Sequence, residues 1–246
     1  MSAPRYDAVV VGGGPNGLTA AIALAAAGRA TLLLEAADEV GGAVKTAELT
    51  LPGFRHDVFS AVYPAAVASP VLSALDLEAH GLRWIHPEVA MAHVLDDGRA
   101  ALLCRELDRT VASLDALAPG DGARWRDQVA PYLRRFDALR ETLLAGFPPV
   151  KGAAKLLAGL GLEGALELAR LLLASAEALA DELFAGDGAK AWLFGAALHG
   201  DVPVDGAGSA ISGLYLNLLG HAVGWPSPEG GAGRLAAALA AKLRSH

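Results

Sequence analysis

Gly12, Gly14 and Gly17, followed by the acid Glu35, carry the most specific chemistry in this chain of 246 residues. The three glycines fit G-x-G-x-x-G, and each has its own task. Gly12 permits a tight turn, Gly14 lets backbone approach a pyrophosphate, and Gly17 with Ala21 removes side chains where a helix meets a strand. N–H groups at the start of that helix, from Pro15-Asn16 onward, then face the phosphates, helped by a helix dipole worth ~0.3–2 kcal/mol. Glu35 stands near the roughly twenty-residue offset at which an acid accepts hydrogen bonds from ribose hydroxyls. Its charge would repel a 2′-phosphate, which disfavours NADP. The spacing alone is weak, and a glycine-rich turn with a solvated glutamate would read the same way. A triphosphate-binding loop is excluded, because Leu18 stands where that loop needs lysine.

The elements around the motif supply the missing context. Tyr6 to Val11 reads as a short buried strand, Asn16 to Ala27 as a helix, and Ala30 to Glu35 as a second strand. This is the β-α-β start of a parallel sheet, which the later sequence does not complete. Six residues after Glu35, the pair Gly41-Gly42 offers a second stretch of bare backbone to the same ligand, as a flavin dinucleotide running on from the pyrophosphate would use. Further on, Thr46 to Leu51 and Phe54 to Val58 predict strands around Pro52-Gly53. Ser69-Pro70 predicts a helix through Leu77. Asp96-Asp97-Gly98 predicts a hairpin joining Val89 to Leu95 and Arg99 to Cys104. From Arg105 to Phe184 the pattern is helical, with breaks at Pro119-Gly120 and Gly146 to Pro149 and a kink or split at Pro131. Gly230-Gly231 precedes a last helix, Arg234 to Arg244.

Bulk properties bound the function. Hydrophobic residues make up 53% of the chain and the mean hydropathy is +0.37, so a sizeable core is expected. A formal charge of −7, with no basic run longer than Arg134-Arg135, speaks against nucleic acid. The single cysteine, Cys104, excludes an internal disulfide framework and suits a reducing, cytoplasmic compartment. The uncharged stretches Ala8–Gly28 and Gly206–Pro228 are too broken by glycine, serine and proline to span a bilayer.

The segments VVVGGGPNGLTAAIALAAAG, LLEAADEVGGAVKT, LPGFRHD and PEGGAGRLAAALAAKLRSH resemble the bacterial phytoene desaturase-like FAD oxidoreductases of the glutathione-reductase-type flavoprotein group. Within that group they look most like the branch called pyridine nucleotide-disulfide oxidoreductase domain-containing protein 2. The resemblance is specific over residues 6–60 and 226–244. It implies a Rossmann-like FAD-binding domain (an α/β fold with an incomplete parallel sheet) and a helix-rich α+β portion of a substrate domain. The corresponding boundaries are 1–62, 63–225 and 226–246, the last being a helix that returns to the FAD-binding domain. It further implies that Gly12, Gly14, Pro15, Asn16 and Gly17 cradle the pyrophosphate, that Glu35 holds the ribose, and that Gly41, Gly42 and Ala43 lie along the flavin side. The implied reaction is hydride transfer from an apolar or amine substrate to FAD. The implied whole is roughly twice this length, so a C-terminal half or a partner chain is expected to complete it. Ala43 replaces the arginine of many relatives, and Asp57-Val58-Phe59-Ser60 replaces a glycine-rich segment, which weakens phytoene as substrate. There is no Cys-x-x-Cys for a dithiol relay.

Other residues carry less. None of the seven histidines has zinc-site spacing, and His56-Asp57 reads either as a flavin neighbour or as a solvated turn. Gly206 to Gly213 reads as a loop near a substrate pocket, and no G-x-S-x-G elbow accompanies it. Trp192, Phe194, Tyr215 and Trp225 suit a pocket or a core. Lys151 to Phe184 suits packing within the substrate domain, or a surface for peripheral membrane contact. Three functional classes compete: an FAD oxidoreductase, a non-catalytic fragment binding ADP or FAD, and an NAD-dependent dehydrogenase.

Overall fold

A computed structural model describes residues 5–144 and 148–246. In chain order it contains β1 (Ala8–Val11), α1 (Pro15–Ala26), β2 (Thr31–Leu34), β3 (Thr46–Glu48), β4 (Arg55–Asp57), α2 (Pro64–Ala68), α3 (Pro70–Ser73) and a 3₁₀ turn, Leu77–His80. There follow β5 (Trp84–Ile85), β6 (Val89–Val94), β7 (Ala100–Cys104), α4 (Leu107–Leu117), α5 (Asp121–Leu133), α6 (Phe136–Leu144) and α7 (Val150–Leu173). The chain continues through α8 (Ala176–Leu183), α9 (Asp187–Ala197), α10 (Ser209–Ala222), β8 (Ser227–Pro228) and α11 (Gly233–Arg244). These elements form two compact units. The first holds the chain up to Val67, Val71–Ile85 and Pro226–His246; the second holds Ala68–Pro70 and His86–Trp225.

In the first unit β1 and β2 pair in parallel, with Ala8 opposite Thr31 and Val11 opposite Leu34. Helix α1 buries Leu18, Ala21 and Ile22, and α11 packs beside it to form a core with Val44, Leu77, Leu82, Leu235 and Leu239. β3 pairs antiparallel with β4. β5 pairs antiparallel with β8, setting Ile85 opposite Ser227. The strand expected to be buried is not: Val9 is 55% exposed and Val11 81%. Successive side chains of a strand alternate between faces, and β1 has one strand neighbour. Ala8 and Val10 are half-buried, and the alternate residues face outward.

The helix expected from Ser69-Pro70 through Leu77 is also replaced. Only α3, Pro70–Ser73, stands there, and the 3₁₀ turn follows only after Asp76, which sits at φ 50. That left-handed residue cannot continue a helix.

The second unit carries the expected hairpin, β6 against β7, with Val94 opposite Ala100. Its core gathers Leu103, Leu114, Leu193 and Leu214 around Trp125 and Trp192, whose rings meet edge-on at 4.9 Å. Both tryptophans are fully buried, so Trp192 belongs to the core. Pro131 lies in the last turn of α5, and its carbonyl accepts a hydrogen bond from Arg135 Nη1 at 3.1 Å. The chain therefore breaks just after the proline. Gly146 and Phe147 of the second expected break lie outside the described residues. Gly206–Gly213 is not one loop, because Ser209 opens α10. The Ser209 hydroxyl is held by Gly206 O (2.8 Å) and accepts the Ala176 N–H (2.8 Å). Among the described residues no helix is long and apolar enough to cross a membrane. α7 does leave Leu162, Leu166 and Leu173 exposed.

His221 joins three parts of this unit. Its Nδ1 donates to the Cys104 carbonyl at 2.9 Å, and its Nε2 accepts from Trp125 Nε1 at 3.0 Å. Burial pushes its pKa down to about 4 from 6.5, because the charged ring would lose both its solvation and its acceptor role. The unfolded chain then binds the proton first, so stability falls as pH drops from 6.5 towards 4. Urea unfolding of wild type and His221→Leu across pH 4–7 checks this. The advantage of the wild type over the variant shrinks by about 3 kcal/mol over that window.

Candidate functional site

The glycine loop is shaped by close backbone approach. The Gly12 N–H donates to Leu34 O at 2.7 Å, carrying the β1–β2 pairing one residue into the loop. Gly12 sits at φ +99, a conformation that favours glycine. A Cβ on Gly17 would fall inside the van der Waals shell of the Gly12 carbonyl oxygen, so α1 passes the loop only with glycine there. Gly14 is the N-cap of α1 and Pro15 its first residue. Proline suits that position because its missing N–H would have had no helical partner. At both Gly12 and Gly14 the Cβ position faces open space, with nothing within 4 Å. The loop is thus a backbone cradle opening at a helix N-terminus, the arrangement that receives a phosphate.

Glu35 is built into this cradle. Its Oε2 accepts the Gly13 N–H at 2.6 Å and its Oε1 accepts the Ala37 N–H at 2.9 Å. These bonds, from Ala37 first and then Gly13, hold the carboxyl below the ordinary glutamate range. The group stays ionised and its orientation is fixed, with lone pairs left for hydroxyl donors. Gly13, which the motif leaves as an unspecified position, is the residue the sequence reading missed. A Cβ there would lie 2.8 Å from Val40 Cγ1 and 2.9 Å from Glu35 Oε2. The third consecutive glycine was the available signal.

The second glycine pair joins the same cradle. The Gly41 N–H donates to Gly13 O at 2.8 Å, and a Cβ on Gly42 would stand 3.3 Å from the Gly14 Cα. Gly12, Gly14, Pro15, Gly17, Glu35, Gly41 and Gly42 are therefore brought together. Asn16, Gly42 and Ala43 are exposed. His56 and Asp57 are in β4 and form no solvated turn. Asp57 Oδ1 accepts from Thr46 Oγ1 and from the Ala232 N–H, both at 2.7 Å, and Thr46 Oγ1 accepts the Gly233 N–H at 2.9 Å. Two side chains of the hairpin thus cap the start of α11, a role invisible at 175 or more residues of separation.

The class of this unit follows from sequence matching as well as from geometry. Residues 10–75 match the NAD(P)-binding Rossmann-like domain family, and the fold of this segment is Rossmann-like. The chain is 35% identical over 133 residues to one of the limonene dehydrogenase subunits of Castellaniella defragrans, a match covering 54% of this chain and 24% of that protein. It is 36% identical over 106 residues to the mouse (Mus musculus) pyridine nucleotide-disulfide oxidoreductase domain-containing protein 2, covering 42% and 18% respectively. The fold is similar to that of cyclohexylamine oxidase from Brevibacterium oxydans, with a TM-score of 0.56, 17% identity, and coverage of 98% of this chain and 49% of that one. Wild-type putrescine oxidase bound to putrescine gives a TM-score of 0.51 at 18% identity, with 98% and 49% covered. The chain spans about half the length of these structures, and its matches cover about a quarter or less of the curated relatives.

Two glycines that look alike in the motif have opposite surroundings, and this separates folding from binding. Gly17→Ala forces helix and loop apart and costs about 1–3 kcal/mol in urea unfolding. Gly14→Ala points a methyl into open space and changes stability by no more than about 1 kcal/mol.

Proposed function

We propose that this chain supplies the ADP-binding part of an FAD-dependent oxidoreductase. The observation carrying this reading is the cradle itself: open Cβ positions at Gly12 and Gly14, a helix N-terminus behind them, and Glu35 oriented by two backbone N–H groups. In it, Gly12, Gly14, Pro15, Asn16 and Gly17 hold the pyrophosphate. Glu35 accepts from the ribose hydroxyls through charge-assisted hydrogen bonds. Gly41, Gly42 and Ala43 offer backbone to the part of the dinucleotide beyond the pyrophosphate. The ionised Glu35 repels a 2′-phosphate, which favours an adenosine without one.

FAD, when bound, supplies an acceptor for a hydride leaving a substrate C–H. The protein's own part is to bind, orient and exclude water. The resemblance to amine oxidases in fold and to a limonene dehydrogenase in sequence supports an apolar or amine substrate. A second reading rests on a specific observation: the outward faces of β1 and β2 are uncovered at Val9, Val11 and Leu34. On that reading the chain binds ADP alone and needs a further segment or partner chain before it engages the flavin ring.

The visible spectrum of the purified protein with added FAD, beside calorimetric titration with ADP, tests the proposal. Gly14→Ala is expected to weaken ADP at least about tenfold by blocking the approach of the pyrophosphate, and Glu35→Ala by about 10- to 100-fold through loss of charge-assisted bonds. FAD bound more tightly than ADP, with a perturbed flavin spectrum, supports the oxidoreductase reading. Equal affinities favour the ADP-only reading. NAD bound tightly with no flavin uptake would sink both.

A further inference from the structure

The described residues contain nine ion pairs, all between Glu88 and Lys190. None engages a cation of the unit that carries the glycine loop. Four of that unit's cations, Lys45, Arg55, Arg234 and Arg244, line one groove of about 490 Å³. The groove's lining holds one acid, Glu39. Glu48 stands opposite Arg55 in the β3–β4 register but forms no ion pair with it among the described residues. The floor is apolar, made by Val40, Val44, Ala236 and Ala240, of which the last three are buried. On a chain of net charge −7, four cations around one space with a single lining acid, and with no ion pair among the described residues, create a local field of the opposite sign.

This groove is not the nucleotide cradle. None of Gly12, Gly14, Gly17 or Glu35 lines it. The segment from Glu39 to Thr46 is the wall between the two. A Cβ on Gly42 would meet Gly14, whereas one on Gly41 would meet the Val44 carbonyl oxygen at 2.8 Å and Ala236 on α11 at 3.0 Å. Its volume lies in the ordinary range of small-molecule sites, roughly 300–1,000 Å³.

We propose that the groove binds a small organic phosphate. Arg234, at the start of α11, and Arg244, in its last turn, supply positive charge from the two ends of that helix, and Lys45 and Arg55 supply it from the hairpin side, while the apolar body rests on Val44, Ala236 and Ala240. Guanidinium forks match phosphate geometry, and a dianion answers several cations at once. The same chemistry is offered by a soluble phosphate ester and by a phosphomonoester lipid headgroup.

The test uses 1-naphthyl phosphate as probe, by calorimetry at low salt, on the 246-residue chain and two paired variants, Arg234→Gln with Arg244→Gln and Lys45→Gln with Arg55→Gln. All four side chains are exposed, so thermal melting should be unchanged, and either pair alone decides the outcome. One-to-one saturable binding is expected in the wild type, weakened at least about tenfold in each pair, with 1-naphthol not saturating. ADP titration should be the same in wild type and both pairs. Co-sedimentation with phosphatidate vesicles that both pairs lose, with phosphatidylcholine vesicles inert, identifies a lipid headgroup as the source. Binding confined to the soluble probe identifies a soluble ester. Absence of saturable binding in the wild type overturns the proposal, as does affinity unchanged in either pair. Displacement of the probe by ADP in wild type but not in Gly14→Ala would place it in the glycine loop, with the same consequence.

Discussion

The first turn of α1 runs so close to the loop after β1 that Gly17 abuts the Gly12 carbonyl. That approach sets the direction of the helix and therefore where its first N–H groups point. The rest of the unit is tied to the same loop. Gly12 is bonded to Leu34 at the end of β2, Gly13 donates to Glu35, and the Gly13 carbonyl receives Gly41. One three-residue turn thus holds both the acid and the second glycine pair. Gly13 and Gly41 are buried, so their backbone groups would otherwise be left without a partner.

The unit is also held together over long sequence distances. Thr46 and Asp57 take the N–H groups of Gly233 and Ala232, and β5 pairs with β8. The intervening chain leaves from Ile85 and returns at Ser227, which are register partners. Such an insertion is tolerated because closure entropy grows only with the logarithm of length, by about 0.6 kcal/mol per doubling. The cost is met by short-range bonds at its ends, and the glycine loop is left undisturbed.

This division between local and distant causes explains what the sequence disclosed. The glycine loop was legible because its constraints act between neighbours: Gly12 needs its positive φ and Gly17 its missing side chain whatever the rest of the chain does. The hairpin at Asp96-Asp97-Gly98 was legible for the same reason. Asp57 was not: neither a flavin neighbour nor a solvated turn foretold that it caps a helix beginning far along the chain. Ser209 likewise sat in a glycine-rich run that read as a loop, yet its hydroxyl bonds to Ala176 and Gly206 and lets a buried helix begin. Exposure was misread at Val9 and Val11 because an apolar run records what a strand tolerates on both faces. What covers each face is not written in it.

That last misreading bears on what the site can do. A parallel pair of strands is weak support by itself, so the first unit depends on α1, α11 and the leucines between them. The bonds shaping the cradle run among Gly12, Gly13, Leu34, Glu35, Ala37 and Gly41, and none uses the outward face of β1. Covering Val9 and Val11 would therefore stiffen the sheet behind the loop without rearranging the groups proposed to meet a pyrophosphate and a ribose. Preorganisation of the ADP part and completion of the sheet are separable. On the proposed function, affinity for ADP would follow from the first, and added affinity for the flavin part from the second glycine pair and the surfaces beyond it.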